Sequence, residues 1–558
     1  MIEPLHTPDQ NVENKDNPVP QQSKTKSHSN SHLPITEESL LVDLQTCSGK
    51  IKLIRENDLT ILSQGEVAIE IWKFKFVSPR KNTQLPYLKL QGLYLDGILS
   101  LMTTQGYFKR YAGSKYIFIR EEENIIEEVL PCHMKDKVHD SVKTDLSLMR
   151  VSYQGTTLSV TPEERSELFL KQSHLAFNES FLGHLPNHSK EILRDDESAT
   201  RFFFSNQVLQ VSKTDIAQVP YHELDGKCIW RSQIIPYAYA GIQNYEEAQF
   251  AKFVRNICGR EEDRINAYRS AVGYLISNFT PVGKGKAILL YDEAITDTDT
   301  PQGGTGKGIT IQALNQVRKV CTIDGKKFRG TGQFSFQSVK QDTQIVAIDD
   351  VNPKFSIDRL NSGITEGLVV EGKFRDEYQF CAAESPKMVI SSNTVLPFEG
   401  TTRKRRQFSL EFSDYYSSKI KSGTEEPILE EHGGRFFTDD WDEREWNHFY
   451  FYMIVCAQLY LSKGLITYQS RNLHHNRLKQ TTTPEFYEWV ISQSFTTDQK
   501  YNTKEQFNIF LTENSLTGQE FTQRTFSECI KKYADLILKA TCHTKSSNGH
   551  RYFWFSSR

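Results

Sequence analysis

No stretch of this chain approaches the run of about 18 apolar residues that a membrane span requires, so no membrane role is expected. Neither sign of charge prevails. With 67 Lys and Arg against 70 Asp and Glu, the net charge of -3 offers nucleic acid no global attraction. Any such binding must come from a local patch, or from a ring of copies presenting the same patch. A disulfide framework is missing too. The nine cysteines (Cys47, Cys132, Cys228, Cys258, Cys321, Cys381, Cys456, Cys529, Cys542) are scattered, odd in number and never spaced CxxC, which points to reduced thiols in a cytoplasmic compartment. The start, "MIEPLHTPDQ", has neither a basic nor an apolar leader character, so no export signal is read there.

What is present is length and alternation. A chain of 558 residues implies roughly three to five domains. Residues 1–37 are rich in Pro, Gln, Ser, Asn and Lys and should form a disordered tail. Residues 38–148, with "AIEIWKFKF" and "KYIFIREEENIIEEVL", read as a small α+β domain, and residues 149–243 as a mixed α/β segment. Helical spacing of Phe250, Phe253, Val254 and Ile257, then of Ile265, Tyr268, Val272 and Leu275, marks a helical collar over 244–284. An α/β core is expected over 285–415, a helical lid or linker over 416–478, and a winged-helix-like domain over 479–558. In that last domain Arg524, Lys531, Lys532, Lys545 and Arg551 are candidate phosphate contacts, although the module could equally dock protein.

The chemistry centres on "TPQGGTGKGITIQAL", residues 300–314. It follows the strand-like "KAILLYD" and opens a helix, which is the frame of a phosphate-binding loop. Gly303, Gly304 and Gly306 let several backbone N–H groups turn toward one anion, Thr305 adds a hydroxyl, and Lys307 reaches the β and γ phosphates. Two positions depart from the usual pattern. Pro301 stands where the first glycine belongs, and Gly308 stands where a Ser or Thr would touch magnesium. A Gly-rich turn that merely contains a lysine is the competing reading.

Downstream, "DTQIVAIDD" is an apolar strand ending in Asp349 and Asp350. Two carboxylates ending a buried strand are costly unless a cation or a water needs them. In an ATPase, one holds hydrated Mg2+ (Asp349) and the other orients the attacking water. "SPKMVISSN" ends in Asn393, which would lie beside the γ phosphate, and "RKRRQFSLEF" supplies Arg405 and Arg406 as candidates for an arginine finger.

The order of these pieces resembles the core of the superfamily 3 helicases, AAA+ motors of small DNA viruses, phages and plasmids. In particular it is similar to the helicase part of phage and mobile-element primase-helicase proteins, through "DTQIVAIDD", "ITEGLVVEGK", "SPKMVISSN" and "RKRRQFSLEFS". The resemblance implies an AAA+-like P-loop core with a parallel sheet. It implies ATP and Mg2+ as cofactors, with Lys307, Asp349, Asp350, Asn393 and Arg405 or Arg406 in the ATPase site. It also implies contact of Lys373 and Arg375 with single-stranded DNA, assembly as a homo-hexamer on replication-fork DNA, and residence in the cytoplasm of a bacterial or phage-infected cell. The N-terminal half shows no evident primase domain with paired metal-binding acids, so any primase is expected as a separate partner. An ATP-gated oligomeric switch in signalling or defence, or another AAA+ remodelling ATPase, shares most of these residues without unwinding.

Overall fold

The computed structural model describes residues 50–557, except 80–83, 113–114, 225, 242–243, 282, 294–303, 329–334, 353–354, 373–374, 395, 397–404, 471 and 548. The chain divides into two compact units that interleave along the sequence: Met1–Tyr94 with Lys137–Gln172, and Leu95–Asp136 with Ser173–Arg558.

In the first unit, Thr60–Ser63, Glu66–Ile69, Trp72–Val77 and Tyr87–Leu93 form an antiparallel meander. Alternation in the third of these strands sends Trp72 and Phe74 inward and Lys73 and Lys75 outward, giving a sheet with one buried face. A second sheet pairs Ile51–Ile54 parallel with Leu148–Tyr153, and the latter antiparallel with Thr156–Val160. Arg165 is buried beside it, donating to the Asp145 carboxylate at 2.6 Å and to the carbonyls of Asp145 (2.9 Å) and Ser147 (2.6 Å). Those partners satisfy most of a guanidinium that could not otherwise be buried.

The second unit contains a parallel sheet of five strands in the order Val320–Asp324, Ile345–Asp349, Lys387–Ser392, Ala287–Asp292, Gln407–Phe412. Its central strands read as unbroken apolar runs because both faces are covered. Ile288, Leu290, Ala347 and Val389 face one core, and Leu289, Tyr291, Val346, Ile348 and Ile390 face the other. The first core is closed by the helices Gln249–Ile257, Glu262–Ile276 and Glu443–Lys463. The last two approach so closely at Gly273 that a Cβ there would lie 2.0 Å from the Cys456 carbonyl oxygen. The aromatic density of "WNHFYFYMIVCAQLYLSKG" is thereby spent on packing, and no helix among the described residues is long and apolar enough to cross a membrane.

At the C-terminal end, helices Thr503–Glu513 and Gln523–Tyr533 precede a hairpin of Ala540–Ser547 and His550–Ser557. Phe510, Phe526, Phe553 and Phe555 fill a separate small core beneath it.

Candidate active site

The loop strand Ala287–Asp292 precedes the Gly-rich segment in sequence, and the helix Lys307–Asn315 follows it. Gly306 caps that helix with φ 104°, and Gly304 has φ 91°. Both lie in the left-handed region that a side chain resists, so these two glycines are required for the turn. The helix thus begins at Lys307, with its first N–H groups free of intrahelical partners and its positive dipole end at the loop. Pro301 and Gly303 lie outside the described residues.

Three neighbouring strands deliver their carboxyl ends to this loop. The strand carrying Asn393 at its tip lies between the loop strand and the acid strand, so lysine, asparagine and aspartate meet although they are far apart in sequence. Lys307 Nζ donates to Asn393 Oδ1 at 2.9 Å, and Asn393 Nδ2 donates to Asp350 Oδ1 at 2.8 Å. Asp350 has φ 57°, a conformation costing a non-glycine residue about 1–3 kcal/mol. Ser391 supports it: its Oγ accepts the Asp350 N–H at 2.7 Å and donates to Asp349 Oδ1. One serine therefore ties the Asp349 carboxylate and the Asp350 backbone to the asparagine strand.

Asp292 and Lys326 escape sequence reasoning. Asp292 Oδ1 accepts from Thr305 Oγ1 at 2.5 Å and forms a buried ion pair with Lys307. Its signal was visible in "KAILLYD", another apolar strand ending in an acid, but nothing local shows that the acid turns back onto the lysine. Lys326 Nζ lies 2.8 Å from Asp350 Oδ2, and that carboxylate holds the exposed ammonium above the usual lysine range.

The other candidates separate. Gly308 is exposed, with nothing within 4 Å of where a Cβ would stand. Thr310, the next hydroxyl along the helix, is buried and engaged by the Tyr268 hydroxyl at 2.9 Å, so it does not replace the missing one. Arg405 and Arg406 precede Gln407–Phe412 and so sit at the amino end of the sheet, opposite Lys307. There the Arg405 carbonyl accepts from Lys286 Nζ at 2.6 Å. Arg375 opens the second strand of a hairpin, Val369–Gly372 with Arg375–Gln379, while Lys373 lies outside the described residues. Of the C-terminal candidates, all exposed, Arg524 faces Glu528 at 3.3 Å and Lys532 donates to the Thr481 carbonyl at 2.6 Å.

Fold and site together define a mixed α/β protein whose parallel strands bring a lysine, an asparagine and three aspartates to one end. No protein-family model and no curated protein matches the chain. Among solved structures, it aligns with an apo form of the NrS-1 C-terminal region at 10% identity and TM-score 0.40, over 82% of this chain and 99% of that one. A second apo structure of that region aligns at 11% identity and TM-score 0.38, over 82% and 98%. The JCV helicase, bound to a small molecule, aligns at 13% identity and TM-score 0.22, over 39% and 65%. Likenesses of this degree decide nothing about activity, which rests on the residues above.

Proposed function

We propose that this chain is an ATP hydrolase that drives movement along single-stranded DNA, a helicase of the superfamily 3 type. The observation that carries the reading is the continuous chain of hydrogen bonds from Lys307 through Asn393 to Asp350, at 2.9 Å and 2.8 Å. A lysine at a helix N-terminus suits a phosphate, and carboxylate oxygens suit a hard cation. Bound Mg2+, held through water by Asp349, would neutralise charge on the β and γ phosphates.

The chain's own groups then divide the work. The N–H groups at the start of Lys307–Asn315 and the Lys307 ammonium bind and orient the triphosphate. Asn393 fixes the Asp350 carboxylate, which is poised to orient a water and accept its proton. Arg405 or Arg406, at the far end of its own sheet, would act on the nucleotide of a neighbouring copy, which favours a homo-oligomeric ring, a hexamer by resemblance. In such a ring Lys373 and Arg375 would contact single-stranded DNA, at a replication fork served by a separate primase.

One observation favours a second reading. Gly308 offers no hydroxyl and Thr310 is committed to Tyr268, an arrangement suited to slow turnover. An ATP-gated oligomeric switch, or another AAA+ remodelling ATPase, would need no more. ATP hydrolysis by wild-type protein and Lys307→Ala, each with and without single-stranded DNA, separates the readings. Turnover stimulated by DNA and lost in the variant supports the helicase; Lys307-dependent turnover indifferent to DNA supports the switch or remodeller. Undiminished hydrolysis by the variant would refute both.

A further inference from the structure

The C-terminal hairpin has a second face that its core does not use. Phe553 and Phe555 point inward, so alternation turns His550, Tyr552, Trp554 and Ser556 outward. Register then places His543 opposite Trp554 and Lys545 opposite Tyr552 on the same outer face. His543 and Trp554 stack with ring centroids 5.2 Å apart and planes 20° from parallel, and the His543 Nε2 and Ser556 Oγ lie 2.8 Å apart, which steadies the ring. Lys500, from the adjoining segment, sets its ammonium 5.7 Å from the Trp554 ring centroid. Trp554, Tyr552 and His543 stay half-exposed, and His550, Lys545 and Lys500 are exposed.

An outward tryptophan and tyrosine carry a solvation cost that a hairpin can avoid with Thr or Lys at the same positions. Charge points to what would cover them. Residues 539–558 carry Lys539, Lys545, Arg551 and Arg558 and no acidic residue. Among the described residues, no ion pair engages Lys500, Lys545 or Arg551. Flat aromatic rings set among unpaired cations match a strand whose bases are free to stack and whose phosphates are spaced along it. A duplex hides its base faces and fits this surface poorly.

We propose that the outer face of the hairpin Ala540–Ser547 and His550–Ser557 binds single-stranded nucleic acid, with Trp554 as the base-stacking platform and Lys500, Lys545 and Arg551 as phosphate contacts. This site is independent of ATP hydrolysis and stands or falls apart from it.

The test is photocrosslinking of the full-length protein, without nucleotide, to a single-stranded oligodeoxynucleotide substituted with 5-iodouracil, followed by mapping of the attached peptide. Attachment at His543, Tyr552 or Trp554, competed by unlabelled single strands and not by duplex, is the expected result. A parallel arm with an RNA strand of the same sequence distinguishes the two sources of such a ligand. Trp554→Ala should weaken binding roughly 5- to 150-fold, the range for losing one base stack, while Trp554→Phe retains most of it. Lys545→Glu, on the surface and away from the core, should weaken binding and flatten its salt dependence with an unchanged melting temperature. Attachment confined to other segments, no attachment, or equal competition by duplex would overturn the proposal. So would a Trp554→Ala protein that changes its assembly state while crosslinking as wild type does, since the face would then belong to a neighbouring copy.

Discussion

Asp292→Asn is the most informative single change at the candidate active site. The side chains of Lys307 and Asp292 retain only 9% and 7% of their exposure, so their ion pair is largely removed from water. Taking one partner from a buried pair costs about 3–5 kcal/mol, because the remaining charge loses its counterion. Here Lys307 keeps Asn393 Oδ1 at 2.9 Å and Thr305 Oγ1 at 3.4 Å, and the amide of the variant can still accept a hydrogen bond. The low end, about 3 kcal/mol, is therefore the expected loss in nucleotide-free protein. Nucleotide should reverse the sign of the effect on affinity. If ATP binds as proposed, wild-type Lys307 must leave a carboxylate to reach a phosphate, whereas in the variant it has no carboxylate to leave and the phosphate would become its counterion. ATP should accordingly bind about ten- to a hundredfold tighter to Asp292→Asn, the equivalent of about 1.4–2.8 kcal/mol, and should restore much of the lost thermal stability. Thermal melts with and without Mg-ATP, together with titration of a fluorescent nucleotide, measure both quantities. An equal loss of stability in both conditions with unchanged nucleotide affinity would show that Lys307 does not exchange Asp292 for phosphate.

Two further changes probe the frame around the site. Gly273→Ala puts a methyl group 2.0 Å from the Cys456 carbonyl oxygen, where only backbone movement can relieve it. The expected cost is about 1–3 kcal/mol, seen as a melting temperature lower by several degrees, and an unchanged melt would mean that the two helices are not packed this closely. Glu445 accepts the Gln249 N–H at 2.6 Å, and burial pushes its carboxyl up to about 7. Because the folded protein then holds a proton that the unfolded chain releases near pH 4.5, this carboxyl's contribution to stability is complete below that pH and is lost as pH rises through about 7. His432 and His448 pull the other way, since burial lowers both. Glu445→Gln should therefore steepen the rise of stability between about pH 4.5 and 7, because the histidine contribution, which grows as pH rises through the same window, is no longer opposed, as read from melts across that range; an identical profile in both proteins would refute the assignment.

Much of the local structure was legible because its cause is local. An apolar run bounded by turn residues, as in "DTQIVAIDD", becomes a buried strand, and its terminal acids then have to stand at its carboxyl end. "KYIFIREEENIIEEVL" becomes the hairpin Lys115–Glu122 and Ile125–Glu128, turning at Glu123 and Asn124, both with positive φ. The periodicity of 244–279 becomes the helices Gln249–Ile257 and Glu262–Ile276. The interleaving of the two units was not legible, because it depends on which sheets pair across long separations and not on any boundary signal in composition.

The amino-acid sequence by itself determined that a glycine-shaped turn precedes a helix beginning with Lys307, that two carboxylates end one strand and an asparagine another, and that glycine, not Ser or Thr, stands directly after the lysine. These are consequences of residue type and spacing over a few positions. Only the tertiary structure decided that the asparagine strand lies between the other two, that Asp292 turns back onto Lys307, that Ser391 ties Asp349 to Asp350, and that Thr310 faces Tyr268. Each of those depends on strand order and on hydrogen bonds between residues far apart in sequence, and such partners are selected by the packing of the whole sheet against its two cores.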